Sequence, residues 1–292
     1  MARILLTGGT GYLGSRLLPR LAAAHRVVSL ARQPQPLDLP VTTVRGDFTR
    51  DDDLRALDPH PVDELVHLAA VTGGAGEEEA LMVNVVGTRR LLRYLLDRGC
   101  RKFVLASTIA VPGCRDARCL PARLPVPPDH LCQAREGYGL SKWLVEQLAG
   151  YFHDCQADAD FTILRIGTVM DDTTGRTKVP PDFEFRLPFL YLGRVFCSDV
   201  LAGLTLAAGA APRPGVRHAH LVGPDVYSRE PVAAVLRRFL GPRAAALDLR
   251  YHETPGLEFA PVYDLTSACA DLGYAPARSV RAAALASSNP HS

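Results

Sequence analysis

Residues 3–14 read Arg-Ile-Leu-Leu-Thr-Gly-Gly-Thr-Gly-Tyr-Leu-Gly. The apolar run over Arg3–Thr7 predicts a short buried strand. Tyr12 to Ala24 carries Leu13, Leu17, Leu18 and Leu21 at helical spacing and predicts a helix. Between them, Gly8-Gly9-Thr10-Gly11-Tyr12-Leu13-Gly14 fits G-x-x-G-x-x-G. Glycines at such a turn let the backbone approach a pyrophosphate closely, and the first N–H groups of the helix face the anion with a partial positive charge. A strand, a glycine turn and a helix in this order predict a dinucleotide-binding unit.

The same alternation continues along the chain. Val27–Leu30, Val41–Arg45, Glu64–Ala69, Phe103–Ala106 and Phe161–Arg165 read as strands, and Glu78 to Asp97 and Tyr138 to Phe152 as helices. Continuously apolar strands separated by helices predict an α/β fold, a Rossmann-type doubly wound parallel sheet of about seven strands covered on both faces. Residues 1–165 are expected to form the dinucleotide-binding domain. Past Arg165 the pattern breaks, with Pro and aromatics clustered in Val179–Phe196 and one helix over Asp199 to Ala208. A small C-terminal substrate lobe is expected over 166–285, with segments around 195–222 returning to the Rossmann core. Val111–Gly137 reads as a loop excursion, and 286–292 as a tail.

Composition excludes several classes. With 33 basic against 31 acidic residues among 292, the chain has no charge footprint for nucleic acid or an anionic membrane. Its most apolar stretch, Val200 to Ala211, is shorter than the roughly 18–20 residues a span needs. The apolar run at the N-terminus is too short for a signal peptide. Seven cysteines without paired spacing fit reduced thiols and a cytoplasmic protein. Cys114, Cys119, His130 and Cys132 follow no zinc-site spacing, so no metal is expected; they read as loop residues near enough to a pocket to be reactive.

Two further features bear on chemistry. The second strand, Val27-Val28-Ser29-Leu30, leads to Ala31-Arg32. A carboxylate there would bond a ribose diol and favour NAD; an arginine pairs instead with a 2′-phosphate, so NADP is the preferred cofactor and NAD the other. Asp47, after the third strand, is placed to accept from an adenine amino group. Tyr138-Gly139-Leu140-Ser141-Lys142 sets a phenol and an ammonium four residues apart on one helix face. A nearby cation favours the phenolate, so such a tyrosine exchanges a proton with a substrate oxygen near neutral pH. Ser107-Thr108 ends a strand, and a hydroxyl there would hold the same oxygen.

The ordered set TGGTGYLG, GDF, HLAA, NVVGT, LASTIAVPG, YGLSK, LRIGTV and DLTSACADLGYAP, from residue 3 to about residue 276, resembles the extended short-chain dehydrogenase/reductase superfamily, and within it the NAD(P)-dependent epimerase/dehydratase family. The resemblance implies that Gly8, Gly11 and Gly14 cradle the pyrophosphate, with Thr10, Tyr12 and Leu13 in the same turn. Asp47 and Phe48 would flank the adenine, and Leu68, Ala69 and Ala70 would line the cofactor. Asn84 would shape the site around the lysine. Thr108 would be the hydroxyl partner, Tyr138 the acid/base and Lys142 both its modulator and a ribose ligand. Ser107 would lie beside the cofactor, and Ile166, Gly167, Thr168 and Val169 would pass the nicotinamide. In relatives the two long helices form a four-helix dimer interface, and the apolar surplus on Glu78–Asp97 fits a homodimer.

Departures from the family pattern narrow the chemistry. Dehydratases carry Asp-Glu directly after the catalytic Thr, where this chain has Ile109-Ala110, so elimination of water lacks an acid and a base. Where sugar-nucleotide epimerases carry an Asn and a diphosphate-clamping Arg, this chain has Thr168 and Leu192, with Arg194 close by. Phe183, Phe185, Leu187, Phe189, Leu190 and Tyr191 suggest an apolar wall, while Arg176, Lys178, Arg186 and Arg194 remain for an anionic group. The expected function is hydride transfer between NADPH and a carbonyl or alcohol of a non-nucleotide small molecule. The alternatives are a sugar-nucleotide or other epimerase with tightly bound NAD and a non-catalytic NADP-binding sensor.

Overall fold

The computed structural model describes residues 1–33, 39–72 and 74–287. A seven-stranded sheet runs in the order β3-β2-β1-β4-β5-β6-β9. Its strands are β1 (Arg3–Thr7), β2 (Arg26–Ala31), β3 (Val41–Arg45), β4 (Glu64–His67), β5 (Lys102–Thr108), β6 (Asp160–Ile166) and β9 (Gly215–Leu221). A separate two-stranded parallel pair joins β7 (Thr168–Met170) to β8 (Arg194–Phe196). β1 pairs in parallel with β2 on one side and β4 on the other, so the strand order reverses at β1. In doubly wound sheets ligands bind outside the carboxyl ends of the strands at that reversal. The Rossmann-type expectation therefore holds.

The chain divides into two compact units. The first comprises Met1–Ser107, Glu136–Leu164 and Leu204–Arg217; the second comprises Thr108–Arg135, Arg165–Gly203 and the chain from His218 onward. In the first unit Leu5, Val28, Leu65, Phe103 and Phe161 pack under Leu91, Leu92 and Leu95 of the helix Thr88–Asp97 and Val145, Ala149 and Phe152 of the helix Gly137–Cys155. Phe103 and Phe161 stack with ring centroids 4.7 Å apart. The helix Gly14–Ala24 buries Leu17, Leu18 and Leu21. Among the described residues no helix is long and apolar enough to cross a membrane. Of the expected tail, residues from 288 onward lie outside the described residues; the helix Val280–Ala286 and Ser287 precede them.

The single helix predicted over Glu78–Asp97 has a different interior. An α turn over Glu77–Ala80 passes into a π-helical segment over Leu81–Gly87 and then into Thr88–Asp97. The wider turn reconciles apolar residues on several faces. Asn84 turns inward with 1% exposure while Met82 stays 54% exposed. Gly87 is needed where this segment crosses Phe48 and Thr49, because a Cβ there would lie 2.6 Å from the Thr49 Cγ2.

In the second unit the excursion after β5 contains no helix or strand through Glu136, yet it is anchored. Val126 bridges to Tyr263, and Arg165 donates to the His130 carbonyl at 3.0 Å. Arg194, expected to be available for an anion, is buried and committed: it donates to both carboxylate oxygens of Glu184 at 2.7 and 2.8 Å and lies 3.8 Å from the Tyr227 ring centroid. Removing one partner of such a pair leaves a desolvated charge, which costs about 3–5 kcal/mol, whereas replacing both with apolar residues costs far less. Glu184→Ala is therefore expected to lower the urea midpoint strongly, and Glu184→Leu combined with Arg194→Met to recover most of it. A single variant that unfolds at the unaltered midpoint would show the pair to be inert.

Candidate active site

The glycine turn has the backbone its sequence demands. Gly8 has φ +75°, and a Cβ on it would lie 2.7 Å from the Ala69 nitrogen. A Cβ on Gly14 would lie 2.1 Å from the Gly8 carbonyl oxygen. The turn is closed by the Gly11 N–H donating to that oxygen at 2.9 Å. Around it lies a cavity of about 260 Å³ whose lining includes Gly8, Thr10, Gly11, Arg32, Asp47, Phe48 and Leu68 through Ala70. The cradle and the cavity fit a dinucleotide: its floor is bare backbone, and an exposed arginine and an acid stand at its walls. Tyr12 and Leu13 are in the turn but do not line the cavity. Asp47 is partly engaged, since its Oδ1 accepts from the Thr49 N–H at 2.9 Å and the Thr49 hydroxyl at 2.8 Å.

His67, the last residue of β4, holds this end of the sheet together. Its ring is buried, with Nδ1 2.7 Å from the Thr7 Oγ1 and Nε2 2.9 Å from the Thr88 Oγ1. Phe48 packs edge-on against it at 5.1 Å. Burial pushes its pKa down to about 3, so the imidazole is neutral at working pH.

The helix Gly137–Cys155 begins on Glu136, whose carboxylate accepts from the Tyr138 and Gly139 N–H groups at 2.9 and 2.7 Å. That cap fixes the first turn, where half-buried Tyr138 stands one turn before Lys142. Lys142 is 4% exposed, and burial lowers its pKa to about 8, opposed by the charge of Glu146. At neutral pH it is still an ammonium. The Ser141 hydroxyl donates to the Tyr138 carbonyl at 2.8 Å and accepts from the Asn84 amide at 2.9 Å. Asn84 also bonds Val71 in both directions, at 2.9 and 3.0 Å. It thus ties the segment after β4 to the Tyr138 helix. Ser107, at the end of β5, donates to the Glu146 carboxylate at 2.5 Å. Neither Ser141 nor Glu146 was picked out from the sequence, although both stand at helical spacing from the Tyr–Lys pair.

The remaining predicted residues belong to the second unit. The Thr108 Oγ1 accepts from the Ala110 N–H at 3.2 Å, and the Ile109 N–H donates to the Ile166 carbonyl at 3.1 Å. The Gly167 N–H donates to Leu221 and the Thr168 N–H to Gly193, both at 2.9 Å. The buried Thr168 hydroxyl is spent on the Leu190 carbonyl at 3.0 Å, and Val169 is half-buried beyond it. The expected apolar wall is largely core: Leu187, Phe189, Leu190, Tyr191 and Leu192 are buried. Only Phe185 of that run reaches the second unit's cavity of about 860 Å³, beside Phe196, Tyr227, Arg176 and Arg278. Nor is the Cys119 thiol reactive. It is buried, sits 3.2 Å from the Pro112 carbonyl, and is pushed up to about 12 by burial and by Asp116.

Residues 4–181 match the NAD dependent epimerase/dehydratase family. The chain is 36% identical over 128 residues to a 3-beta-hydroxysteroid dehydrogenase of Mycolicibacterium neoaurum, covering 40% of this chain and 35% of that one. It is 31% identical over 163 residues to a UDP-glucose 4-epimerase of Halalkalibacterium halodurans, covering 52% and 46%. The matches span about a third to a half of the length of these curated relatives. Among solved structures, MoeE5 in complex with UDP-glucuronic acid and NAD superposes with TM-score 0.69 at 24% identity, over 97% of this chain and 96% of that one. A UDP-glucose 4-epimerase from Bifidobacterium longum, in complex with NAD+ and UDP, gives TM-score 0.71 at 17% identity over the same shares. At such identities the structural likeness is one of fold.

Proposed function

The chain belongs to the NAD dependent epimerase/dehydratase family, and we propose that it acts as an NADP-preferring oxidoreductase on a carbonyl or alcohol of a small molecule other than a nucleotide sugar. The observation that carries this reading is the Tyr138–Lys142 pair at the capped start of one helix, in the unit that also holds the glycine cradle. A bound nicotinamide dinucleotide supplies or accepts the hydride. Gly8, Gly11 and Gly14 hold its pyrophosphate, Asp47 and Phe48 flank the adenine, and Leu68 to Ala70 line its path. Tyr138 passes the proton to the substrate oxygen, which Thr108 holds by hydrogen bond. Lys142 lowers the phenol's proton affinity and bonds the ribose. Asn84 positions that helix, while Ser107 and Ile166 to Val169 border the nicotinamide end. Ile109 and Ala110, 1% exposed, leave no carboxylate for dehydration beside Thr108. A homodimer and a cytoplasmic location belong to the same reading; Met82 and Tyr151, each more than half exposed, supply apolar surface for a second copy.

Arg32 supports the cofactor preference, since it stands in the cavity wall just past the end of β2, a strand end that carries no carboxylate of its own. In a fluorescence titration NADPH is expected to bind more tightly than NADH. Arg32→Ala is expected to weaken NADPH by about tenfold, the loss of one charge-assisted contact to the 2′-phosphate, and to leave NADH nearly unchanged. Equal affinities in the unaltered protein would remove the NADP assignment. A carbonyl screen followed at the nicotinamide absorbance then tests turnover. The second reading, an epimerase with tightly held NAD, is favoured by Arg176 in the lining of the second unit's cavity, where Arg278 is paired with Asp172 at 2.7 Å. Cofactor that copurifies, with no net NADPH consumption, would select it. The intact Tyr138–Lys142 pair speaks against a sensor without catalysis.

A further inference from the structure

Gly137 is the first residue of the helix that carries Tyr138, and nothing in its own backbone calls for glycine. It is not among the glycines with positive φ, and any other residue there would cost the helix less conformational entropy. The requirement comes from a neighbour. A Cβ on Gly137 would lie 2.6 Å from the Glu77 Cα, 2.9 Å from the Glu77 Cβ and 3.2 Å from the Glu77 Cγ. The nearest of these is a backbone atom, so no side chain can swing aside to make room. Bare backbone of the Tyr138 helix therefore rests on Glu77, the first residue of the α turn Glu77–Ala80.

The same stretch of chain faces the dinucleotide cavity. Glu79, within that turn, and Val83, one turn on, are part of the cavity's lining. Asn84 follows and donates its amide to the Ser141 hydroxyl at 2.9 Å. Residues 77–84 thus meet the helix twice, sterically at Gly137 and by hydrogen bond at Ser141. Tyr138 stands between the two contacts, with its N–H held by Glu136 at 2.9 Å. How closely the first turn approaches Glu77 fixes how far the phenol reaches.

We propose that Gly137 is a positioning residue: its missing side chain lets the first turn of the helix seat on Glu77, and this seat sets where the Tyr138 hydroxyl stands relative to the dinucleotide cavity. The seating stands on the geometry; its effect on rate rests on the role of Tyr138 under the proposed function.

The chain contains nine tyrosines, so the protein labelled with 3-fluorotyrosine has nine fluorine signals, and that of Tyr138 is the one lost in Tyr138→Phe. Gly137→Ala is expected to shift that signal. Gly150→Ala, in the same helix but with nothing within 4 Å of the added Cβ, is expected to leave it in place. Adding Glu77→Gly to Gly137→Ala removes the Glu77 Cβ and Cγ, lets the turn yield, and is expected to return the signal towards its original position. An unmoved Tyr138 signal in Gly137→Ala overturns the proposal. With a substrate from the carbonyl screen, Gly137→Ala is expected to lower kcat at least about tenfold while KM and NADPH affinity stay within about threefold, since a misplacement of about 1 Å costs up to about 10²-fold in rate. Glu77→Gly is expected to restore most of that kcat. A general loss of packing produces neither the split nor the rescue. A shifted signal with unaltered kcat overturns the positioning role. If the unaltered protein turns over nothing in the screen, the proposed function fails, and the fluorine signal still decides the seating. If Gly137→Ala fails to fold, adding Glu77→Gly is expected to restore folding; a double variant that also fails overturns the proposal.

Discussion

Tyr138→Phe is expected to lower turnover about 10³-fold while cofactor and substrate affinities stay within about twofold of the unaltered protein. The split follows from what holds the residue. The backbone of Tyr138 is fixed from both sides: its N–H donates to Glu136 and its carbonyl accepts from Ser141. Phenylalanine keeps both bonds and the half-buried ring, and loses only the hydroxyl that exchanges the proton. Without it an alkoxide formed at the substrate has no positioned acid, and a properly placed one contributes about 10²–10⁴ in rate. Binding rests on other groups, above all the glycine turn and the cavity at the ends of β1 to β4. Steady-state kinetics on a substrate found in the carbonyl screen, with a parallel NADPH titration, separates the two effects. Full turnover in the phenylalanine variant would remove the acid/base assignment; unaltered biological activity with no turnover in either protein would favour the sensor.

What the sequence shows of this molecule depends on how local each cause is. The glycine turn is legible because its requirement is local: Gly8 needs a positive φ and Gly14 needs the absence of a Cβ, within a seven-residue stretch. Strands β1, β4, β5 and β6 are legible because burial on both faces gives each a largely apolar centre. β9 falls within the stretch around 195–222 expected to return to the core, but its strand character is not legible. It reads Gly-Val-Arg-His-Ala-His-Leu, and its buried residues begin only at Ala219. The π-helical segment has no signature either, since a shifted hydrogen-bond register leaves the same apolar residues in the same order. It nonetheless turns Asn84 onto Ser141 and Val71. The role of His67 is not legible locally, because its partners Thr7 and Thr88 lie 60 and 21 residues away. Arg194 was hidden by abundance. In a chain with so many arginines, one that is buried against Glu184 and Tyr227 reads like the rest.

Gly14→Ala is expected to weaken NAD(P)H binding at least 100-fold and to destabilise the protein by about 1–3 kcal/mol, the usual range for an added methyl with no room. The added Cβ would meet the Gly8 carbonyl oxygen at 2.1 Å, the Gly8 carbonyl carbon at 2.8 Å and the Gly9 Cα at 2.9 Å. All three are backbone atoms, so no side chain can swing aside. Relief requires opening the turn, which is resisted on its far side: Gly8 already passes so close to Ala69 that it admits no Cβ of its own. The cradle is therefore wedged between the first helix and the segment after β4, and one methyl group displaces the N–H groups that would face a pyrophosphate. Gly150 provides the control within the same chain. It lies inside the helix Gly137–Cys155, and a Cβ there would meet nothing within 4 Å. Gly150→Ala is expected to leave binding untouched and to raise stability by up to about 1 kcal/mol through helix propensity alone. Urea melts and dinucleotide titrations on the two variants thus compare one chemical change in two backbone settings. If Gly14→Ala bound dinucleotide as well as Gly150→Ala does, the turn at residues 8–14 would not be the cradle, and the cavity beside it would need another ligand.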